Sequence, residues 1–168
     1  MLAISKSEKA YLGFIDQRSE PENNLYFKIA REWGSTPFDD VFFFSTKQSG
    51  LAKKSRERQS AFAKIKLAIS KSQPDHIYVG NDRRIEFQFA MHVGSQLKPC
   101  LGHYLDDGSA TYIGQTRSGL TVAFESLINR MQYGRWYKYA VTPGASDWVQ
   151  DLVVAFPDLV IDSIAHKA

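Results

Sequence analysis

The sequence "HIYVGNDRRIEFQFAMHVGSQLKPCLGHYLDD", residues 76–107, shows most clearly how extended and helical segments alternate in this chain. Two short runs rich in apolar residues, "HIYVG" and "CLGHYL", predict two buried strands. The segment between them has Ile85, Phe89 and Val93 at spacings of four, which predicts a helix. A strand, a helix and a second strand in this order form a βαβ unit, and the strands of such a unit are parallel.

The same alternation of extended and helical patterns continues on both sides of this unit. Strands are predicted at Ala10–Ile15, Val41–Thr46, His76–Gly80, Cys100–Leu105 and Asp151–Pro157. Helices are predicted around Leu25, Ile29 and Trp33, over about residues 50–72, and from Leu120 to Met131, with Pro74 and Gly134 just beyond the last two. The chain therefore predicts an α/β fold, a three-layer sandwich with a mainly parallel, Rossmann-like sheet, as one domain over residues 1–168.

Composition agrees with a single globular domain. The chain has 168 residues, 43% of them hydrophobic and 23% charged, which is enough for one core of ordinary size. A formal net charge of +3 is too small to indicate nucleic acid as a partner. The most basic stretch, Ala52–Lys66, is interpreted either as the solvated face of a helix or as a contact for an anionic partner such as anionic lipid.

Cysteine and hydropathy indicate the cellular context. Cys100 is the single cysteine, so no internal disulfide and no cysteine-rich zinc site can form, and its apolar surroundings predict a buried thiol. Neither a secretory leader nor an apolar run of membrane-spanning length is recognised. The expectation is a cytoplasmic protein, with the inner face of the membrane as a further location.

Polar residues follow the third and fourth predicted strands, at the ends where open α/β sheets bind ligands. The first group is Asn81, Asp82, Arg83 and Arg84, and the second is Asp106, Asp107, Gly108 and Ser109. Sequential strands are usually neighbours, so both groups are expected along one rim of the sheet.

The acidic pair is the candidate catalytic feature. Successive side chains of an extended chain point to opposite sides, so Asp106 and Asp107 are not expected to share a metal ion. One carboxylate is expected to face a ligand as a general base, while the other bonds backbone N–H groups and Gly108 allows a close approach. The alternative is a polar turn. Residues 81–84 have two interpretations. In the first, Asn81 and Asp82 bind ligand hydroxyl groups and an arginine binds an anion. In the second, Asn81 or Asp82 is the N-cap of a helix and the two arginines lie on the surface.

Other candidate features are weaker. The histidines are His76, His92, His103 and His166. No two of them have metal-ligand spacing, and His103 is interpreted as a core or interface histidine. The segment Tyr133–Tyr139, "YGRWYKY", predicts either stacking on a sugar or an aromatic cover for a sheet edge or partner. No phosphate-binding glycine motif occurs.

The sequence "YLDDGSATYI", residues 104–113, resembles the acidic D/E-D/E-G motif of bacterial sialyltransferases and related capsule and lipooligosaccharide glycosyltransferases. "PDHIYVGNDRRIEFQF" and "YGRWYKY", followed by "DWVQDLVVAFPDLV", are similar to the sequence around it in that group. The resemblance implies one half of a GT-B enzyme, in which an acceptor-binding half and a nucleotide-sugar-binding half flank a cleft. It further implies that Asp106 or Asp107, with Asp106 preferred, deprotonates an acceptor hydroxyl that attacks a CMP-linked sialic acid with inversion, without a metal.

The chain departs from that family at one motif. A His-Pro pair, which in the family stabilises the leaving nucleotide, is absent because no histidine here precedes a proline. The expectation is an acceptor-side half that needs a C-terminal donor domain, with a glycan acceptor as its ligand and no cofactor of its own. The alternative is a non-catalytic Rossmann-like binding or interaction domain. The oligomeric state and the sugars involved stay open.

Overall fold

The computed structural model describes residues 9–16, 21–32, 37–45, 51–106, 110–114 and 119–168. The strands are β1 (Tyr11–Asp16), β2 (Asp40–Ser45), β3 (His76–Val79), β4 (Leu101–Leu105) and β5 (Asp151–Val153). The helices are α1 (Leu25–Glu32), α2 (Leu51–Ser72), α3 (Ile85–Leu97), α4 (Ala110–Ile113), α5 (Gly119–Tyr133) and α6 (Asp162–Ala165), with short 3-10 turns at Pro21–Asn23 and Pro157–Leu159.

Strands of the described residues form two small parallel sheets, β1-β2 and β3-β4-β5. This confirms the predicted α/β class with parallel strands and intervening helices. The chain divides into two compact units, residues 1–72 and 73–168, and each holds one of the sheets. The assignment of all 168 residues to one domain stays a prediction.

In the first unit, α1 and α2 both contact β2. Phe27 of α1 packs between Phe14 and Phe43, with ring centroids 5.7 and 4.9 Å away. The helix is confirmed, but the face expected from Leu25 and Ile29 is wrong, because both side chains are exposed and Phe27 and Ala30 are buried instead. In this eight-residue helix, the ring contacts of Phe27 determine which face is buried. Trp33 lies outside the described residues.

The second unit has its core on one face of β3-β4-β5. Tyr104 of β4 is completely buried there, with Phe87 and Met91 of α3 and Ile164 of α6. Cys100 belongs to the same core as a free thiol, and burial raises its pKa, so the predicted buried thiol is confirmed.

One predicted end of an element needs correction and another is confirmed. β5 has three residues rather than the seven expected, because it pairs only with His103–Leu105 before the chain turns at Pro157. The predicted stop after α5 is confirmed: Gly134 has a φ of 96° and its N–H donates to the Arg130 carbonyl at 2.9 Å. A glycine adopts that conformation without strain.

Candidate functional site

The carboxyl ends of β3 and β4 form one rim of the second unit. The two strands are parallel neighbours, with Val79 paired to Tyr104. The turn at residues 80–84 and Asp106 therefore leave the sheet at the same edge, and the predicted adjacency of the two strands is confirmed. β4 is the central strand, so Asp106 follows the middle of the sheet.

Asp106 is held at this rim by β5 and by α4. Its N–H donates to the Val153 carbonyl at 3.0 Å, which continues the pairing of β4 with β5. Its carboxylate accepts a hydrogen bond from the Thr111 hydroxyl at 3.1 Å and a second from the Tyr112 hydroxyl. The side chain is half-buried.

The hydroxyl network extends from Asp106 into the core. The oxygens of Tyr104 and Thr111 are 3.1 Å apart, and both residues are completely buried. The pKa of Tyr112 is raised above its ordinary 10.0, first because its hydrogen bond to Asp106 holds the proton and then because of burial. The network therefore fixes the direction of the carboxylate and keeps protons on the hydroxyls that face it.

The other residues predicted after β4 cannot be placed. Asp107, Gly108 and Ser109 lie outside the described residues. Their roles as second carboxylate, close-approach glycine and substrate-binding hydroxyl stay predictions.

Asp82 is a buried structural anchor in this structure. Its side chain is fully buried, and its two carboxylate oxygens accept hydrogen bonds from the backbone N–H groups of Gly144 and Ser146, each at 2.9 Å. Burial raises the pKa of Asp82, while these two N–H groups and the charge of Lys167 oppose the rise. Substrate binding by Asp82 stays a prediction, and one that this burial does not favour.

The rest of the turn is open to solvent to different degrees. Asn81 and Arg84 are exposed and Arg83 is half-buried. Asn81 accepts a hydrogen bond from the Arg83 N–H at 3.1 Å, which shapes the turn. The predicted N-cap at Asn81 or Asp82 is wrong, because α3 begins after Arg84 and no side chain caps it. Asn81 and Arg84 are the turn residues that a ligand at the rim could reach.

The sequence did not single out two further buried polar residues of α3. Gln88 donates to the carbonyls of Asp82 and Lys138, at 3.2 and 2.8 Å, and accepts from the Lys138 N–H at 2.8 Å. Glu86 is buried, and neither of its carboxylate oxygens has a hydrogen-bond partner among the residues that the structure describes. Both lie on a helix whose apolar spacing alone gave the prediction, and that spacing carries no signal for a buried polar pair.

The aromatic segment at residues 133–139 covers α3. The Trp136 ring stacks on His92 at 5.7 Å with an interplanar angle of 11°, and it meets Phe89 edge-on at 5.5 Å. Its carbonyl accepts the indole N–H of Trp148 at 2.9 Å. These contacts favour the aromatic-cover interpretation over sugar stacking, with a helix rather than a sheet edge beneath the cover.

The first unit has a groove of its own. A cavity of about 260 Å³ lies between β2 and α2, and its lining is apolar except for two lysines. The lining residues are Phe42, Phe43, Phe44, Lys64, Leu67, Ala68 and Lys71. The groove thus combines apolar surface with positive charge within the basic helix.

Among the residues placed by the structure, no group of three or more His, Cys, Asp and Glu side chains is arranged to hold a metal ion. None of the helices in the same ranges combines the length and apolar character needed to cross a bilayer. No protein-family model and no curated protein sequence matches the chain.

Proposed function

We propose that the chain is the acceptor-binding half of a glycosyltransferase of sialyltransferase type, which acts in surface polysaccharide synthesis. One observation carries the proposal: Asp106, a half-buried carboxylate at the end of the central parallel strand, accepts hydrogen bonds from two hydroxyl groups. A carboxylate so placed suits a third hydroxyl, that of a sugar. The resemblance of residues 104–113 to the acidic motif agrees with this role.

In the proposed reaction, Asp106 is the general base. An acceptor hydroxyl donates to the Asp106 carboxylate while Thr111 and Tyr112 fix the direction of that carboxylate. The hydroxyl oxygen attacks the anomeric carbon of a CMP-linked sialic acid, its proton passes to Asp106, and CMP leaves with the electrons of the broken C–O bond. The configuration inverts, and no metal takes part. A separate donor domain supplies the CMP-sugar pocket.

Asn81 and Arg84 complete the proposed acceptor side. Both are exposed on the turn that shares the rim with Asp106. An amide and a guanidinium bind sugar hydroxyls and an acidic sugar group, respectively. The basic groove of α2 fits a peripheral contact with anionic lipid at the inner membrane face, where surface polysaccharides are assembled.

The second candidate is a non-catalytic Rossmann-like binding or interaction domain. The observation that favours it is the same pair of hydrogen bonds to Asp106, since they also anchor α4 to the end of β4 as a structural turn would. Under this alternative the carboxylate stabilises the fold and contacts no ligand.

Acceptor binding by the 168-residue chain separates the two candidates. We expect lactose or N-acetyllactosamine, used as probes in saturation-transfer NMR, to bind the wild type, and CMP not to bind. Asp106→Asn should weaken sugar binding roughly tenfold or more, the loss expected when a charged hydrogen-bond partner of a ligand is removed.

Asp158→Asn is the matched control, because Asp158 is an exposed carboxylate of the same unit. It should bind the probes as the wild type does. Absence of binding to either sugar, or equal binding by Asp106→Asn, would support the non-catalytic domain instead.

A further inference from the structure

The face of β3-β4-β5 opposite the core carries a chain of polar side chains. Residues paired in a parallel register share a face, so Tyr78, His103 and Asp151 form one row across the three strands. His76 lies on the same face of β3, two residues before Tyr78. Tyr78 and the Asp151 side chain are each 54% exposed, so this face is open to solvent.

Three of these side chains are joined by hydrogen bonds. Nδ1 of His103 bonds the Asp151 carboxylate, and Nε2 of His103 bonds Nδ1 of His76 at 2.8 Å. His103 is buried within the row, and the Tyr78 ring stacks on it at 4.5 Å with an interplanar angle of 20°. The hydrogen-bonded order is thus Asp151, His103 and His76, with the buried His103 in the middle, and we call these three residues the relay.

Elementary hydrogen-bond chemistry fixes the protons of the relay. An ionised carboxylate only accepts, so Nδ1 of His103 carries the hydrogen and its Nε2 accepts when the ring is neutral. Nδ1 of His76 then has to donate. A neutral His76 with hydrogen on Nδ1 has a lone pair on Nε2, and the His76 side chain is exposed.

We propose that the relay makes His76 a hydrogen-bond-accepting imidazole at the open sheet face, which binds the hydroxyl group of an alcohol. The ligand hydroxyl donates to Nε2 of His76, and the hydrogen bonds that run from His76 through His103 to Asp151 hold that nitrogen in its accepting form. His76 is the group that touches the ligand, while His103 and Asp151 are positioning residues. Tyr78 and the exposed Leu101, the register partner of His76, supply apolar surface beside it.

An ion pair lies beside His76. Asp75 lies next to His76 in the chain and forms an ion pair with Lys98, whose Nζ is 2.7 Å from its carboxylate. The Lys98 hydrogen bond and charge lower the pKa of Asp75, so this carboxylate is ionised near the relay. The proposal does not depend on the sugar chemistry assigned to Asp106, which lies at the rim.

The first test determines which ring nitrogen carries the hydrogen in His76 and in His103. In 15N–1H NMR of the wild-type chain at neutral pH, we expect His76 to be the Nδ1–H tautomer and His103 to carry its hydrogen on Nδ1. Finding the hydrogen of neutral His76 on Nε2 would overturn the proposal, because that tautomer cannot donate to His103.

The second test measures reactivity with diethyl pyrocarbonate, which modifies unprotonated imidazole nitrogens, as a function of pH. We expect His76 to react faster than His166, an exposed histidine at the end of α6. His103→Phe keeps a ring beside Tyr78 but breaks the relay. The rate at which His76 is modified should fall roughly tenfold, which is the size of effect seen when the hydrogen-bond partner of a metal-ligating histidine is removed.

His103→Gln is the conservative variant, because an amide can both donate to Asp151 and accept from His76. It should retain most of the reactivity of His76, which a purely steric role for His103 would not predict. Equal rates for His76 in the wild type and in His103→Phe would overturn the proposal. Thermal unfolding followed by circular dichroism confirms that each variant is folded, and the tautomer measurement needs no variant.

Discussion

Gly102 of β4 lies directly against the backbone of Trp148. A Cβ built at position 102 would be 2.1 Å from the Trp148 carbonyl oxygen, and 3.1 Å from the Met91 sulfur and terminal methyl. The Gly102 backbone also bonds Gln150 twice, through its carbonyl to the Gln150 N–H at 2.9 Å and through its N–H to the Gln150 side chain at 2.6 Å. The central strand therefore accepts no side chain here without displacing the segment before β5.

Gly102→Ala is expected to destabilise the protein by about 2–3 kcal/mol, since a backbone carbonyl has to move to admit the methyl group. Urea unfolding followed by circular dichroism measures the change in the free energy of unfolding. Gly94→Ala on α3 is the comparison, because its Cβ would meet only the side chain of Cys100 closely, with the sulfur at 3.1 Å. A loss of stability as large in Gly94→Ala as in Gly102→Ala would contradict this explanation.

Asp82→Asn is expected to destabilise the protein by about 2–4 kcal/mol, because the amide NH₂ group cannot accept the N–H of Gly144 or Ser146. The loss should depend on pH. Burial, the largest cause, raises the pKa of Asp82 above 3.8 in the folded state. The folded protein then binds more protons than the unfolded chain, so this contribution to stability is complete below pH 3.8 and declines as pH rises through the folded pKa.

Unfolding curves of the wild type and Asp82→Asn between acidic and neutral pH test whether the contribution of Asp82 to stability falls as pH rises. The difference in stability should be largest at acidic pH and should shrink as pH rises. A difference that grows with pH would mean that the two N–H groups outweigh burial.

Glu86 should be replaceable with a gain in stability. It is buried, and within the described part of the chain neither carboxylate oxygen has a hydrogen-bond partner. A buried polar group in that state costs about 1–3 kcal/mol by mutational data. Glu86→Met keeps a similar length without the polar atoms, so we expect the free energy of unfolding to rise by about that amount. Glu86→Gln keeps unpartnered polar atoms and should gain less. Destabilisation by Glu86→Met would show that the carboxylate has a stabilising partner.

The local pattern was enough to predict the elements around residues 76–105. Two short apolar runs with a helical spacing between them predict β3, α3 and β4, and the pairing of neighbouring strands then follows. The rim position of Asp106 also follows from that order. These features depend on residues close together in the chain, where steric and hydrogen-bond preferences act directly.

Contacts between distant residues could not be predicted in this way. Asp82 bonds Gly144, 62 positions away, and His103 bonds Asp151, 48 positions away. Such contacts depend on how β5 and the segment before it pack. The sequence there has only a short apolar run, which predicts a strand but not its contacts. The sequence therefore predicts Asp82 at an open rim, and it predicts His103 as a core or interface histidine without identifying its partners.

The hydroxyl network of Asp106 can be tested through Tyr112. Its pKa is raised above 10.0 first of all by the hydrogen bond to Asp106, because loss of the phenol proton would place two negative oxygens in contact. Asp106→Ala removes both the acceptor and the charge, so the pKa of Tyr112 should fall towards 10.0. Titration of 13C-labelled tyrosine by NMR measures it, and Tyr112→Phe identifies the signal by its loss. An unchanged Tyr112 pKa in Asp106→Ala would mean that the two side chains are not bonded, and the carboxylate would lose the contact that directs it at the rim.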